Sequence, residues 1–194
     1  MPKLSALALL IFAVHFTLCT IASAENIPRY DRKDFGGWVD RDRDCQNTRH
    51  ELLAELSTGP IEYSANGCRV VAGRWLDLYT DRIFTQSSDI DIDHLVPLHW
   101  AWQRGAWQWS GQKRRDFAND PRNLFSVDDG TNQSKGAKGP LKWLPPSEQF
   151  RCSYVTRFWR VVRMYELSLA EGERRKMVKQ FEKLCGVRSK ILQN

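Results

Sequence analysis

A set of four cysteines behind an apolar leader most constrains how this chain can fold. These cysteines are Cys45, Cys68, Cys152 and Cys185. An even number of cysteines after an export signal indicates two disulfides, and the sequence alone allows three pairings. A structural zinc site is the alternative, but it is disfavoured because the sequence contains no Cys-x-x-Cys pair. We therefore expect a fold braced by two disulfides.

The leader has the three parts of a secretory signal peptide. A short basic start precedes an apolar run, and Ala22-Ser23-Ala24 provides the small residues of a cleavage site. The apolar run is short for a transmembrane anchor, and the residues before Cys19 poorly suit lipidation. We expect residues 1–24 to be a cleaved signal peptide. Residues 25–194 would then form one secreted or periplasmic domain without stable membrane association.

Two amphipathic segments near the C terminus favour one of the three cysteine pairings. Apolar residues recur at helical spacing over residues 150–169 and again over residues 177–184. An antiparallel pair of such helices, joined near Glu171, would bring Cys152 close to Cys185. The pairing Cys152–Cys185 with Cys45–Cys68 is therefore favoured.

The rest of the chain mixes helical and extended patterns. Residues 47–56 are expected to form a helix, and residues 68–79 have an extended, β-leaning pattern. Two short strands are expected over residues 90–95 and 123–127. Thr131 is expected to cap a helix that begins beside it. This mixture predicts an α+β fold.

The chemically informative residues lie at the ends of these two strands. The first strand ends in Asp91-Ile92-Asp93-His94, Asn123 opens the second, and Asn132 follows nine residues later. A neutral imidazole suits deprotonation of water, and carboxylate or amide oxygens suit a hard divalent cation. Metal-dependent hydrolysis of a phosphodiester needs both kinds of group.

This pattern resembles the HNH endonuclease family. The family signature has an acidic residue and a His on a first strand, an Asn on a second strand, and a His or Asn on the next helix. Further segments extend the resemblance to secreted members and to the GmrSD-type nuclease domain, from about Trp38 to Cys185. They are Gly73–Asp77, Phe117–Pro121, Asn132–Gly136 and Trp143–Pro146.

The resemblance implies a ββα-metal (HNH, or His-Me finger) core with additional helices and a short β segment around it. It implies that His94 is the general base and that Asp93 and Asn132 hold the metal. Asn123 would brace the loop after His94 through a hydrogen bond to its backbone, and a backbone carbonyl would hold the His94 ring. The expected ion is Mg²⁺, with Mn²⁺, Ca²⁺ or Zn²⁺ as alternatives.

The charge of the chain favours an acidic partner, since its formal net charge is +6. Lys135 is expected to contact the phosphate from the helix face that carries Asn132, and Arg114 and Arg115 are expected to bind the nucleic-acid backbone. We expect a monomeric endonuclease that cleaves DNA with low sequence specificity, with RNA as an alternative substrate. The competing hypotheses are a non-catalytic nucleic-acid-binding module and a hydrolase of other phosphate esters.

Other polar residues near these segments are weighed and set aside. Asp91 shares a strand face with Asp93 and could be a second metal ligand, but a solvated acid is favoured. His99 could bind metal or DNA, but a structural or surface role is favoured. Upstream, five residues match positions 1, 3, 5, 9 and 12 of a calcium-binding EF-hand loop. They are Asp40, Asp42, Asp44, Thr48 and Glu51. Because Cys45 replaces the Gly at position 6, a polar turn is favoured over a calcium site.

Overall fold

The computed structural model describes residues 26–186, so the expected signal peptide lies outside the described residues. This part of the chain is an α+β protein, as predicted. Its helices are α1 (Thr48–Leu56), α2 (Leu98–Trp102), α3 (Gly111–Ala118), α4 (Asp129–Lys135), α5 (Glu148–Met164) and α6 (Glu171–Cys185). Its strands are β1 (Glu62–Tyr63), β2 (Val70–Asp77), β3 (Arg82–Gln86), β4 (Ile90–His94) and β5 (Leu124–Asp128). Within residues 26–186, no helix is long and apolar enough to cross a membrane.

The first sheet is an antiparallel meander in the order β1-β2-β3. Strand β2 confirms the β-leaning pattern predicted for residues 68–79. The buried Trp75 on this strand packs against α1, and its Nε1 donates a hydrogen bond to the carbonyl of Leu53 at 2.8 Å. Strand β3 was not predicted, because most of its side chains are exposed and leave no clear apolar alternation.

The second sheet pairs β4 with β5 antiparallel, so that Asp93 lies opposite Phe125 and His94 opposite Leu124. Helix α4 follows β5 directly and packs against both strands. It begins two residues before Thr131, because the Asp128 side chain caps it and accepts a hydrogen bond from the Thr131 backbone N–H at 2.7 Å. The prediction that Thr131 caps this helix is therefore wrong.

The two long C-terminal helices form the predicted hairpin, and both predicted disulfides are present. Cys45–Cys68 links the turn before α1 to the start of β2, and Cys152–Cys185 links the start of α5 to the end of α6. Helix α5 ends at Met164 and α6 begins at Glu171, so the loop between them lies just before Glu171, where the connection was expected. For sequence separations of 23 and 33 residues, loop closure contributes about 3–4 kcal/mol of stability per disulfide.

Two apolar clusters flank the β4–β5 pair. Ile90, Ile92 and Leu124 join the smaller cluster, together with Leu53 and Trp75. The larger cluster fills the space between the C-terminal hairpin, α2, α3 and the other side of β5. Because side chains alternate along a strand, the isoleucines of β4 pack into the smaller cluster and its carboxylates lie on the opposite face of the strand. This alternation places charged groups at the edge of the core.

The acidic residues before α1 form an exposed polar turn. The side-chain oxygens of Asp40, Asp42 and Asp44 lie within 4.8 Å of one another. They accept hydrogen bonds from backbone N–H groups of the same turn, including that of Cys45. The cap of α1 is Asn47, whose side chain accepts from the first turn of the helix.

Candidate functional site

A cleft of about 610 Å³ opens where β4 ends and α4 begins. Ten of its lining residues are polar or aromatic and come from four separate parts of the chain. They are Tyr30, Arg32, Trp38, Arg49, Asp91, Asp93, His94, His99, Asn132 and Gln133. The structure therefore brings together His94, Asp93 and Asn132, which the sequence analysis selected from distant positions.

The His94 ring is buried at the wall of this cleft and is fixed on one side. Its Nε2 lies 2.8 Å from the carbonyl oxygen of Ala118 at the end of α3, which is the kind of partner the resemblance implied. Since a carbonyl only accepts hydrogen bonds, Nε2 carries the ring proton and Nδ1 has a free lone pair. Within residues 26–186, Nδ1 has no hydrogen-bond partner.

The surroundings of His94 also fix its charge. Burial lowers the pKa of His94 to about 3, so the imidazole is neutral at neutral pH. The Trp38 ring stacks on it, with centroids 5.4 Å apart and planes inclined by 1°. A neutral imidazole with a fixed proton and an open lone pair can accept a proton at Nδ1, but a pKa this low is below the value near the working pH that suits a general base.

Asn123 makes the backbone contacts that the resemblance implied. It is fully buried, and its Oδ1 accepts a hydrogen bond from the Val96 backbone N–H at 2.8 Å. Its Nδ2 donates to the Val96 carbonyl at 3.3 Å, and its own carbonyl accepts from the Leu95 N–H. These contacts hold the loop that follows His94.

Replacement Asn123→Ala is expected to lower the free energy of unfolding by about 1–3 kcal/mol, because it leaves the buried Val96 N–H without a partner. Urea unfolding measures this loss.

Leu53→Ala is the matched control, since it removes a buried side chain of the smaller cluster and should cost about 2–5 kcal/mol. An Asn123→Ala variant that is as stable as the parent, beside a destabilised Leu53→Ala, would contradict the bracing role of Asn123.

Asp91 and Asn132 are hydrogen-bonded to each other in the cleft, and this position agrees with the alternative of Asp91 as a second ligand rather than with the favoured solvated acid. The Nδ2 of Asn132 lies 2.9 Å from Oδ2 of Asp91. Asp91 is half-buried, so it is not the freely solvated acid that was expected. A half-turn of the Asn132 amide would present its oxygen to the same point, since amide oxygen and nitrogen are interchangeable by rotation.

Asp93 lies deeper and is held by two donors. Lys135 Nζ is 2.9 Å from its Oδ1 and 2.8 Å from its Oδ2, and the Tyr79 hydroxyl donates to Oδ2 at 2.8 Å. Burial lowers the pKa of Lys135 and raises the pKa of Asp93, whereas their mutual attraction opposes both shifts. A carboxylate has about four lone-pair positions, so Asp93 keeps acceptor capacity beyond these contacts.

The three residues predicted to contact phosphate do not reach the cleft. Lys135 is fully buried and donates to Asp93 and to the His94 carbonyl, so the prediction of a direct phosphate contact is wrong. Arg114 is half-buried and donates to the carbonyls of Asp34, Trp107 and Trp109. Arg115 lies beside Gly36, outside the cleft lining.

Two other arginines supply positive charge in the cleft. Arg49 is half-buried, and its Nη2 donates to the carbonyls of Ser87 and Ile90 at 3.1 and 2.9 Å. Burial lowers the pKa of Arg49. Arg32 is exposed, and its side chain forms no ion pair within residues 26–186. No feature of the sequence distinguished these arginines from the other basic residues.

The oxygens of the cleft fit a hard divalent cation. Asp91, Asp93 and Asn132 offer carboxylate and amide oxygens, which Mg²⁺ and Mn²⁺ prefer as ligands. The Asn132 amide nitrogen lies 2.9 Å from Oδ2 of Asp91, so rotation of the amide would bring two oxygens close enough to bind one ion. Asp91 and Asn132 could therefore hold such an ion, and Asp93 lines the same cleft.

The fold and cleft define a disulfide-braced α+β protein with an imidazole, carboxylates and an amide in one site. The family model described as "GmrSD restriction endonucleases, C-terminal domain" matches residues 46–180. An "Uncharacterized secreted protein" of Arthroderma benhamiae is 37% identical over 147 residues, covering 75% of this chain and 71% of that protein. No solved structure matches significantly. The chain belongs to the family of GmrSD restriction endonuclease C-terminal domains.

Proposed function

We propose that this protein is a secreted, metal-dependent endonuclease of the HNH type, which hydrolyses phosphodiester bonds of DNA with low sequence specificity. One observation carries the proposal: the unprotonated Nδ1 of His94 shares a cleft with Asp91, Asp93 and Asn132. Membership of a restriction-endonuclease family supports the choice of substrate. The antiparallel pair β4–β5, with α4 following β5 and packed against both strands, also agrees with a ββα-metal core.

In this proposal His94 is the general base. Nδ1 takes a proton from the attacking water. Nε2 keeps its own proton and donates a hydrogen bond to the Ala118 carbonyl, which holds the ring in place. Asp91, Asp93 and Asn132 would hold a divalent cation, with Asp91 added to the two ligands expected from the sequence. When bound, such an ion stabilises the charge of the phosphate and of the leaving oxygen.

Arg32 and Arg49 are the proposed phosphate contacts, in place of Lys135, Arg114 and Arg115. Both line the cleft that contains His94. Contacts from arginine to phosphate oxygens give affinity without reading sequence, which agrees with low specificity.

Export of this chain is supported by two findings. The relative in Arthroderma benhamiae is named as a secreted protein. Both disulfides require an oxidising compartment in which to form and persist. We therefore propose that the active protein is located outside the cytoplasm.

Incubation of the oxidised protein with supercoiled plasmid and Mg²⁺ or Mn²⁺ tests the proposed function. Nicked and then linear DNA is expected, and a labelled RNA run in parallel measures the alternative substrate. Binding of DNA without cleavage by any divalent ion would instead identify a non-catalytic module. Hydrolysis of bis(p-nitrophenyl) phosphate with no cleavage of DNA or RNA would identify a hydrolase of other phosphate esters.

Arg32→Ala is expected to raise KM for DNA about three- to tenfold and to lower the slope of log affinity against log salt by about one, because one phosphate contact is lost. Arg115→Ala is the control, since it removes an exposed arginine outside the cleft. Fluorescence anisotropy over a salt series measures the slope. If both variants change the slope equally, Arg32 is not a phosphate contact of the cleft.

A further inference from the structure

We propose that Tyr79 and Lys135 are positioning residues, which hold the Asp93 carboxylate and the His94 main chain in the geometry needed for hydrolysis. This inference rests on the proposed function. Its structural basis is a buried chain of hydrogen bonds from Tyr79 through Asp93 to Lys135, ending on the His94 carbonyl.

Lys135 joins the two halves of the cleft. Its Nζ reaches Asp93 at 2.9 Å and the His94 carbonyl at 2.8 Å, so it fixes both the side chain of one residue and the backbone of the next. It is also the last residue of α4, the helix that carries Asn132. The same ammonium therefore ties the end of β4 to the helix on the opposite side of the cleft.

Stability alone does not account for this arrangement. Lys135 is fully buried and Asp93 nearly so, and removing two charges from water offsets much of their mutual attraction. Apolar residues of similar volume often stabilise a core equally well. In this ion pair Lys135 donates to the His94 carbonyl, and Asp93 is the residue before His94. The pair is therefore better explained by its role in positioning the candidate ligand Asp93 and the candidate base His94.

Tyr79 fixes the other side of the Asp93 carboxylate. Its ring packs edge-on against Trp143 and Tyr154, with centroids 5.1 and 5.8 Å away. Its backbone carbonyl accepts a hydrogen bond from the Ser147 N–H. Because ring and backbone are both held, the hydroxyl has a defined position. Removing it would leave Lys135 as the remaining partner of Asp93 Oδ2, without opening a large cavity.

The chain provides a matched control in Tyr154. This residue is also fully buried, and its ring contacts Tyr79, but its hydroxyl has no hydrogen-bond partner within residues 26–186. Tyr154→Phe removes the same atom as Tyr79→Phe from the same core without removing a hydrogen bond to Asp93. The two variants therefore separate the hydrogen bond to Asp93 from the loss of a buried hydroxyl.

The experiment compares Tyr79→Phe, Tyr154→Phe and the parent at a temperature where circular dichroism shows all three to be folded. Loss of the Tyr79 hydroxyl is expected to lower kcat on plasmid about 10–100-fold, with KM changed less than twofold. The dissociation constant for Mn²⁺, measured by calorimetry without DNA, should rise by a similar factor. Tyr154→Phe should match the parent in kcat and Mn²⁺ affinity.

Parent-like kcat and Mn²⁺ affinity in folded Tyr79→Phe would overturn the inference. If that variant does not fold, Lys135→Gln carries the same expectation, because glutamine retains a donor but loses the charge that holds Asp93. A parent protein that binds Mn²⁺ but cleaves no phosphodiester would overturn the proposed function, and the Mn²⁺ affinities of the variants would still test the positioning of Asp93.

Discussion

Replacement of His94 by alanine is expected to lower the rate of plasmid cleavage about 10²–10⁴-fold, the usual contribution of a general base. The effect should be large because Nε2 of this ring is held by the Ala118 carbonyl, which leaves Nδ1 unprotonated, and the ring lines the same cleft as the candidate ligands. The fold should persist, since the lost hydrogen bond leaves only a carbonyl, that of Ala118, to be satisfied by water. Single-turnover cleavage rates and thermal unfolding measure the two outcomes.

His50→Ala is the control for this variant. His50 is half-buried in α1, and its Nδ1 accepts a hydrogen bond from the Val70 backbone N–H outside the cleft. We expect a small loss of stability and cleavage at the parent's rate. If the His94→Ala variant is folded and cleaves as fast as the parent, His94 is not the general base.

Removal of divalent ions is the second change with a large expected effect. A chelator should stop cleavage, and adding back Mg²⁺ or Mn²⁺ should restore it, because the cleft offers hard oxygen ligands. Asp91→Asn and Asn132→Ala should each raise the ion concentration for half-maximal activity at least tenfold. Metal titrations of the cleavage rate measure this, and add-back of Ca²⁺ or Zn²⁺ identifies the ion that the protein uses.

Asp89→Asn is the control for the metal titrations, because Asp89 is an exposed carboxylate just before β4 that does not line the cleft. Its titration should match that of the parent. Cleavage that survives complete chelation would contradict metal dependence. Unchanged titrations for Asp91→Asn and Asn132→Ala would exclude these residues as ligands even if an ion is required.

The sequence predicted the parts of the fold that depend on local patterns. Helical periodicity over residues 150–169 and 177–184 was sufficient to place Cys152 near Cys185, and this disulfide is present. The two strands β4 and β5 could also be predicted, because each has a short apolar pattern bounded by turns. The backbone contacts of Asn123 followed from the resemblance and are present in the structure.

The residues that surround His94 could not be predicted in the same way. Trp38, Tyr79 and Ala118 come from remote segments, and no spacing rule connects them to β4. Lys135 was misplaced for a related reason. A separation of three residues from Asn132 places both on one face of α4, but packing against β4 then directs the longer side chain into the core.

The two disulfides connect the chemistry of the cleft to the redox state of its surroundings. Neither crosslink contributes to the cleft lining, yet each contributes about 3–4 kcal/mol, a large share of the 5–15 kcal/mol that a domain of this kind has in total. A chain whose thiols are kept reduced would therefore lie close to its unfolding threshold. Correct folding of the cleft would then depend on oxidation of the four thiols.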